Sequence, residues 1–555
     1  MLAPHHAMEP KFKIVDGIEV LVPRKIPTQN ILLKIRNREL GQRTLYNLRF
    51  ERAVYQSVFP NKTFYNVERP SCFFRKFSPC GNYFIAYTAD QSGIEIYSYK
   101  GAAAAGDLLE CLDQDVEPSA DIKQQVFDRF FALKHTVTMA STTEQLNREC
   151  SLFTDNGRFL IVASSGVVVE DPRYPRPFDD VYRNNEAIPI HPRFSLEDIT
   201  VYVIDIHRGL LLDSRQFRTD KIYLAHNQGL YLYKNILSIL SVQHQTIHIF
   251  QISSEGELIE VRTIGRFCHD DDEFILSSAI GRVAAVRNYR EVQITGLKHR
   301  MLVFLFKEAF NESKAERKPD KWRLFYRKFQ HLRWLRLWKM QLLDDNHLLL
   351  KYSSQEVVTL RAPEPNSQIS FFVIYRMDTA QVLAVYENTS EEMLRMYEDY
   401  NDFFKDPGTS SDTQNIATLS NSEYARDYHA TFKQTALEAK HGNRAEVVKR
   451  ILGHVPIPAQ SHTCSPYVDI SLFSFDDRWV SPYERPKAGT DHPLRFYGRD
   501  SALYKFSITT GLPDQQPIPS ARRLVAFIFH PTDPFVITVQ RTNAEYVVNF
   551  HTRGV

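Results

Sequence analysis

The feature that most constrains this chain is a unit of short strands that recurs from about Lys62 onward. Each copy has an apolar strand, a turn with Asn, Asp or Gly, a second apolar strand, a spacer and an alternating strand. Short runs of β-branched and aromatic residues between turn residues are typical of strands. The body is therefore predicted to be mainly all-β. Its six copies begin at Phe77, Leu152, Leu230, Leu342, Leu472 and Phe527.

The order of these strands also predicts how the copies assemble. One small antiparallel sheet cannot bury both of its faces, and stacking several sheets around an axis gives a β-propeller. We predict a divergent WD-like β-propeller with six to eight blades, seven being favoured. It is divergent because no Trp is followed by Asp. An early strand near Lys62 can pair with the terminal AEYVVNF and close the last blade, leaving no open edge. A pair of β-sandwich domains is the alternative.

Three other segments give the domain organisation. Residues 1–57 form a basic, partly helical arm, and 58–390 form the first part of the propeller. That part contains an amphipathic Trp/Arg-rich segment at 320–340. Residues 391–462 are a helical insertion around a polar loop, and 463–555 complete the propeller.

Composition limits the class of protein. Lys plus Arg number 68 and Asp plus Glu number 66, which argues against a strongly basic nucleic-acid coat. No apolar run reaches the roughly 18 residues of a membrane helix, and the N-terminal residues lack the apolar core of a secretory signal. The 6 cysteines have no paired spacing, so we expect reduced thiols in a cytosolic or nuclear protein without membrane contact.

Each candidate catalytic motif in the sequence is incomplete. GAAAAGD from Gly101 resembles a phosphate loop, but Asp107 and Leu108 replace the Lys and Ser/Thr that would hold phosphate and magnesium. His244 and His248 lie on a strand-like run rather than a helix, and no Glu follows the first of them. The acidic run at 270–273 lacks the Gly and final Glu of a calcium loop. We therefore expect no enzyme, no cofactor, no catalytic residue and no metal.

Two amphipathic segments are candidates for binding. The first is a helix predicted through NILLKIRNREL, which Pro27 and Thr28 can start and Gly41 can stop. Its apolar side can dock into a groove of another protein, or the arm can fold back on the body. The anchors on that side are Ile31, Leu32, Ile35 and Leu40.

The second candidate is the Trp/Arg-rich segment. Aromatic residues interleave with Lys and Arg between Lys321 and Lys339, a composition enriched at protein interfaces. The alternative is a helix that packs its aromatic side on the body and leaves its basic side in water; membrane or RNA docking is less favoured. The candidate partner-binding residues are Trp322, Arg333, Trp334 and Trp338.

Long runs of the sequence resemble the De-etiolated-1 family, from about Asn30 to His551. The resemblance does not extend to the first 25 or so residues, about 277–296, the polar loop near Thr413 or the HTRGV tail. The runs that carry it are FFRKFSPCGNYFIAYTADQSGIEIY, LNRECSLFTDNGRFLIV, HNQGLYLYKNILSILSVQHQTIHIFQ, VRTIGRFC, LRLWKMQLLDDNHLLLKYSSQEVVTLR, SPYVDISLFSFDDRWVS and FHPTDPFVITVQRTNAEYVVNFH.

The resemblance implies a non-catalytic scaffold or substrate-receptor subunit of a cullin-4 ubiquitin ligase that acts on transcription factors. It implies binding to the adaptor damage-specific DNA-binding protein 1 and to the small DET- and DDB-associated protein. Further implied partners are the RING protein constitutive photomorphogenic 1, cullin-4 with its RING subunit, and a ubiquitin-conjugating enzyme. It also implies a nuclear location, with the cytoplasm as a second one, and association with chromatin.

On this view the segment from Ile26 to Gly41 docks the adaptor, while the insertion and the Trp/Arg-rich segment are candidates for the enzyme or the RING partner. Two other functions remain open. A chromatin or nucleic-acid reader would use the basic arm and the Trp/Arg-rich segment. A propeller hydrolase would need a polar cluster at a central channel, which the sequence does not reveal.

Overall fold

The computed structural model describes the backbone at 12–15 and 18–21, and then most of the chain from residue 54. The ranges are 54–112, 120–140, 143–168, 186–191, 194–265, 296–315, 320–365, 368–400, 444–461 and most of 463–554, with single residues 181 and 404. The predicted helix at 26–41, with Ile31, Leu32, Ile35 and Leu40, lies outside the described residues.

Antiparallel sheets dominate the body, as the strand pattern predicted. Two short strands in the arm form a hairpin that the sequence analysis did not predict, β1 (Phe12–Val15) and β2 (Ile18–Leu21). A single strand follows, β3 (Lys62–Phe64). Sheet I contains β4 (Cys72–Phe77), β5 (Tyr83–Thr88), β6 (Gly93–Tyr99) and β7 (Phe131–Thr138). Sheet II contains β8 (Glu144–Leu146), β9 (Leu152–Phe153), β10 (Phe159–Val167), β11 (Glu197–Asp205) and β12 (Leu210–Asp220).

The second half of the body continues the same arrangement. Sheet III contains β13 (Leu230–Tyr233), β14 (Ile236–Ser241), β15 (Thr246–Ile252) and β16 (Leu258–Ile264). Sheet IV contains β17 (Leu335–Leu342), β18 (His347–Ser354), β19 (Ser370–Arg376) and β20 (Gln381–Glu387). Sheet V contains β21 (Phe473–Ser474), β23 (Leu494–Gly498) and β24 (Tyr504–Ile508). Sheet VI contains β22 (Lys487–Ala488), β25 (Leu524–Phe529), β26 (Val536–Thr542), β27 (Glu545–Thr552) and β3. Each of the six sequence copies lies in its own sheet.

The first body strand pairs with the last. In register, β3 lies antiparallel to β27, with Phe64 opposite Phe550 and Lys62 opposite Thr552. Just beyond β3, the Asn66 backbone N–H donates to Asn549 Oδ1 at 3.0 Å. The predicted pairing of the early strand with the terminal strand is confirmed, and it covers an edge of β27.

Neighbouring sheets are joined by hydrogen bonds as well as by apolar packing. Arg215 of sheet II donates to the Leu258 carbonyl of sheet III at 2.6 Å. Gln245, after β14, donates to the Leu337 carbonyl of sheet IV at 3.1 Å. On the other side, His530 Nε2, next to β25, donates to the Gly81 carbonyl of sheet I at 3.0 Å. Buried apolar clusters run from sheet II through sheet IV and from sheet I to sheet VI.

Helices occupy the connections. The described ones are α1 (Gly106–Leu112), α2 (Ala120–Phe130), α3 (Leu297–Ala315), α4 (Asp320–Arg333), α5 (Gln355–Val358), α6 (Glu391–Asp399) and α7 (Arg444–Leu452), with short 3₁₀ turns at Ala102–Ala105, Ala225–Asn227 and Pro466–Val468. At the start of α6, Ser390 Oγ accepts from the Met393 N–H at 3.3 Å, an N-cap bond. Helices α6 and α7 lie in the predicted insertion; its polar loop is outside the described residues.

The end of that insertion is buried between the sheets. We call residues 455–461 the central segment. Its Ile457 N–H donates to Gln341 Oε1 of β17 at 3.0 Å, and its Ala459 carbonyl accepts from Asn227 Nδ2 at 3.1 Å. Gln460 Oε1 accepts from the Phe153 N–H of β9 at 2.9 Å. This stretch is thus held by residues from sheets II and IV and from the turn before sheet III.

Candidate partner-binding surface

The Trp/Arg-rich segment does not form one amphipathic unit. Its first part is α4, which ends at Arg333, and its second part is strand β17, which begins at Leu335. The 3.6-residue apolar spacing of DKWRLFYRKFQHLR suits a helix, whereas LRLWKMQL has the near-continuous apolar character of a buried strand. The predicted candidates are therefore divided between two different environments.

Trp334 and Trp338 have opposite exposures. Trp334 lies between the helix and the strand and is 55% exposed, as a partner-binding residue requires. Trp338 is 5% exposed and packs in the core, with Lys351 Nζ 5.4 Å from its ring centroid. The expectation that Trp338 contacts a partner is wrong, because the strand turns its side chain into the body. The side chains of Trp322 and Arg333 lie outside the described residues.

Helices α3 and α4 form a hairpin between sheets III and IV, which we call the helical hairpin. Met301 and Leu332 are buried and belong to the core cluster that includes sheets II to IV. Arg300 also donates to the Ala380 carbonyl of the turn before β20, and Lys328 Nζ lies 2.9 Å from Glu387 Oε1. The hairpin is therefore anchored to the edge of sheet IV by apolar and polar contacts.

The outer part of the hairpin carries a cluster of aromatic rings. The Phe306 ring lies 6.0 Å from Phe310 and 5.6 Å from Phe325, centroid to centroid. Tyr326 and Phe329 extend the cluster from Phe325, at 5.6 and 6.0 Å. Three large side chains of this region remain exposed, namely Phe310, Leu324 and Tyr326. Exposed aromatics beside basic side chains are the composition expected of a protein interface.

Two further ionisable residues lie deep in the body. Lys351 of β18 donates to the Val455 carbonyl of the central segment at 3.2 Å, and burial, helped by the charge of Lys339, lowers its pKa to about 7. His551 of β27 is fully buried, and burial lowers its pKa to about 3. Both side chains are enclosed by packing, which suits a structural role.

The described residues offer neither a metal-binding cluster nor a membrane-spanning helix. Within the described ranges, no group of three or more His, Cys, Asp or Glu residues is arranged to hold a metal ion. His248 lies on β15 and His244 in the turn before it, which agrees with the strand expected there. None of the helices described here is both long and apolar enough to cross a bilayer.

Sequence comparison identifies the relatives of the chain. The profile of the family described as De-etiolated protein 1 Det1 matches residues 148–554. The chain belongs to the De-etiolated-1 family. A Light-mediated development protein DET1 of Solanum lycopersicum is 31% identical over 516 residues, covering 90% of this chain and 94% of that protein. Its counterpart of Arabidopsis thaliana is 29% identical over 536 residues, with coverage of 90% and 95%.

Comparison with solved structures gives only remote similarity. The β-propeller domain of Myceliophteria thermophila Cps50 (Swd1) is 8% identical, with 88% of this chain and 99% of that domain covered and a TM-score of 0.30. A periplasmic gluconolactonase of Pseudomonas aeruginosa, PpgL, is 11% identical, with 37% and 39% covered and a TM-score of 0.19. Both scores are too low to transfer a fold or an activity. Family membership therefore rests on the sequence.

Proposed function

We propose that this member of the De-etiolated-1 family is a non-catalytic scaffold and substrate-receptor subunit of a cullin-4 ubiquitin ligase in the nucleus. It would bridge damage-specific DNA-binding protein 1 to constitutive photomorphogenic 1 and to a ubiquitin-conjugating enzyme. Family membership supports the proposal. The structural observation that carries it is the helical hairpin, which exposes aromatic and basic side chains while it is anchored firmly to an all-β body.

The body is proposed to be a closed β-propeller. Three observations support this: repeated antiparallel sheets, hydrogen bonds between successive sheets, and pairing of the first body strand with the last. A closed arrangement would leave the loops and inserted helices as the surfaces for partners. The number of blades stays a prediction.

The segment from Ile26 to Gly41 is proposed to dock on the adaptor as a helix in a groove. Ile31, Leu32, Ile35 and Leu40 would be its buried anchors, and the first three share one side of the predicted helix. The segment connects β2, which contacts β20, with β3, so it would dock on the adaptor while both of its ends stay on the body.

Scaffolding would accelerate ubiquitin transfer through proximity. Holding the substrate, the RING protein and the conjugating enzyme on one subunit raises their effective concentration, to about mM for short flexible tethers. A bimolecular encounter then becomes effectively intramolecular, and no proton-transfer residue of the scaffold is needed.

Adaptor binding can be tested by co-purification. The double variant Ile31→Asp plus Ile35→Asp should abolish co-purification with damage-specific DNA-binding protein 1 and leave the thermal melt of the body unchanged. Lys34→Asp plus Asn37→Asp, on the side of the predicted helix away from Leu32 and Ile35, is the matched control and should retain the adaptor. Adaptor binding that survives the apolar double variant would remove this assignment.

The alternative is a chromatin or nucleic-acid reader, which the basic residues of the arm and α4 favour. Binding through phosphates weakens steeply as salt rises, because counterions are released. Apolar docking of a helix should change little between 50 and 200 mM salt, a range over which several phosphate contacts lose about 10³-fold or more in affinity. A steep salt dependence of complex formation would favour the reader.

A further inference from the structure

Sheet V is narrower than the other sheets of the body. It consists of β21, β23 and β24, whereas sheets I, III and IV have four strands each and sheets II and VI have five. On one side β24 pairs with β23, and no strand among the described residues pairs with its other side. We call that other side the open edge. An unpaired strand edge presents a row of N–H and C=O groups that can pair with an added strand.

The strand that carries the open edge is held firmly by the body. Phe506 and Ile508 of β24 are buried, and the Phe506 ring is stacked 4.4 Å from that of Phe496 in β23. Directly after β24, the Thr509 carbonyl accepts from Asn549 Nδ2 at 3.2 Å, which ties the strand to sheet VI. A partner would therefore meet an edge that already has strand geometry, and this lowers the conformational cost of binding.

Large apolar side chains lie exposed at the start of β24. Leu503, directly before the strand, is 65% exposed, and Tyr504, its first residue, is 54% exposed. Tyr497 of β23 is also exposed, and its ring lies 6.1 Å from that of Tyr504, centroid to centroid. Accessible aromatic side chains are typical anchors of protein interfaces. The open edge thus offers side-chain contacts in addition to its backbone groups.

The charge of β23 and β24 indicates the chemistry of a partner. These two strands contain Arg495 and Lys505 and no carboxylate, and neither cation forms an ion pair within the described part of the chain. Lys505 is the extra residue of a bulge in the pairing of β23 with β24. A Lys on a strand edge disfavours pairing with a second copy of the same edge, because like charges would meet. An acidic strand would instead be attracted.

We propose that the open edge binds an extended, acidic segment of a partner polypeptide, which adds a fourth strand to sheet V. Main-chain hydrogen bonds to β24 would supply affinity, and contacts with Tyr504 and Lys505 would supply specificity. An extended segment is favoured over a helix because the accessible backbone groups lie along a strand. The site lies in a different sheet from the helical hairpin, and the proposal does not depend on the scaffold function.

Hydrogen exchange of the purified full chain tests whether the edge is open. The N–H groups of β24 that point away from β23 should exchange faster than those of β26, which is paired on both sides by β25 and β27. Mass spectrometry of proteolytic fragments measures both strands in one experiment. Protection of β24 equal to that of β26 would show that another part of the chain, or a second copy, already fills the place, and would overturn the proposal.

A labelled peptide tests the added strand. The probe is a blocked Glu-Val-Glu-Val-Glu-Val peptide, whose carboxylates lie on one face and valines on the other when it is extended. We expect saturable binding by fluorescence anisotropy, with slower exchange of the β24 N–H groups. The same peptide methylated at every backbone nitrogen, and a Lys-Val-Lys-Val-Lys-Val peptide, should each bind about 10-fold more weakly. No saturable binding of the acidic peptide, or equal binding of its methylated form, would overturn the proposal.

Two variants locate the peptide on the chain. Lys505→Glu should weaken binding of the acidic peptide about 10-fold and strengthen binding of the basic one. Tyr504→Ser removes an accessible ring and should weaken both peptides. Arg218→Glu, at an exposed position of β12, the outer strand of sheet II, is the matched control and should bind like the wild type. Wild-type affinity for the acidic peptide in either variant, or an equal loss in Arg218→Glu, would place the peptide elsewhere and contradict the assignment.

Discussion

The Thr63 hydroxyl lies 2.9 Å from Nδ1 of His551, which joins the first and last strands of the body across 488 positions of sequence. Thr538 Oγ1 lies 3.5 Å from the other ring nitrogen. The ring is therefore set between two hydroxyl groups within sheet VI, and its hydrogen bonds to described residues go to these hydroxyls and to the Thr509 backbone, not to a carboxylate.

Acid should destabilise the protein through His551. Burial lowers the folded-state pKa to about 3, so below the unfolded value of 6.5 the unfolded chain binds more protons and stability falls with pH. This group alone should cost about 2 kcal/mol between pH 7 and pH 5. The free energy of unfolding, measured with denaturant at pH 7 and at pH 5, should differ less for His551→Gln than for the wild type. His331→Gln changes an exposed histidine and should keep the wild-type difference. An unchanged difference in His551→Gln would contradict the assignment.

Alkaline pH should stabilise the protein through Lys351. Its folded pKa of about 7 lies below the unfolded value of 10.5, so between these values the unfolded state holds the extra proton and stability rises with pH. We expect a gain of about 2 kcal/mol between pH 7 and pH 9. Lys351→Met should abolish this gain when unfolding is measured at both values, and the exposed Lys307→Met should retain it. A gain of equal size in both variants would argue against Lys351.

Loss of the Asn227 amide should weaken the attachment of the central segment. Its Oδ1 accepts from the Ser151 N–H at 2.9 Å, and its Nδ2 donates to the Ala459 carbonyl at 3.1 Å. Asn227→Ala leaves these buried backbone groups unpaired, at about 1–3 kcal/mol each. Hydrogen exchange should then quicken at Ile457 and Ser151. The control is Asn311→Ala on the exposed side of α3. Equal protection of the Ile457 and Ser151 N–H groups from exchange in both variants would show that the Asn227 amide is dispensable.

The two neighbouring tryptophans should respond differently to truncation. Trp338→Ala opens a cavity in the core and should cost about 3–5 kcal/mol in the free energy of unfolding. Trp334→Ala should stay within about 0.5 kcal/mol of the wild type, because its side chain is largely exposed. Equilibrium denaturation measures both, and similar losses would contradict the different environments of the two rings.

The sequence predicts the sheets well because each strand unit carries its own local pattern. FSPCGNYFIAY and LYLYKNILSILSV alternate between apolar runs and turn residues, and each forms a hairpin within one sheet. The pairing of β3 with β27 was also predictable, since a closed sheet needs a partner for its last edge.

The sites were harder to predict because their residues come from distant segments. The short LRLWKMQL run follows a helix with no Gly or Pro between them, so the change from helical to strand spacing at Trp334 has no local signal. Glu186, Lys298 and Arg336 meet only in the folded chain, and nothing in their spacing indicates that one carboxylate serves two cations. Burial of the central segment was likewise not predicted, because VPIPAQ contains two prolines and no strand or helix pattern, a composition typical of a linker.

The buried course of residues 455–461 changes how the helical insertion can be handled experimentally. A deletion that treats 391–462 as a removable appendage takes away the backbone to which Gln341, Asn227 and Lys351 are hydrogen-bonded. Both inserted helices also pack in a buried cluster with sheet IV, through Met393 of α6 and through Val448 and Leu452 of α7. Shortened versions of the protein should therefore confine their excision to positions between Phe404 and α7, so that the tie between the sheets remains.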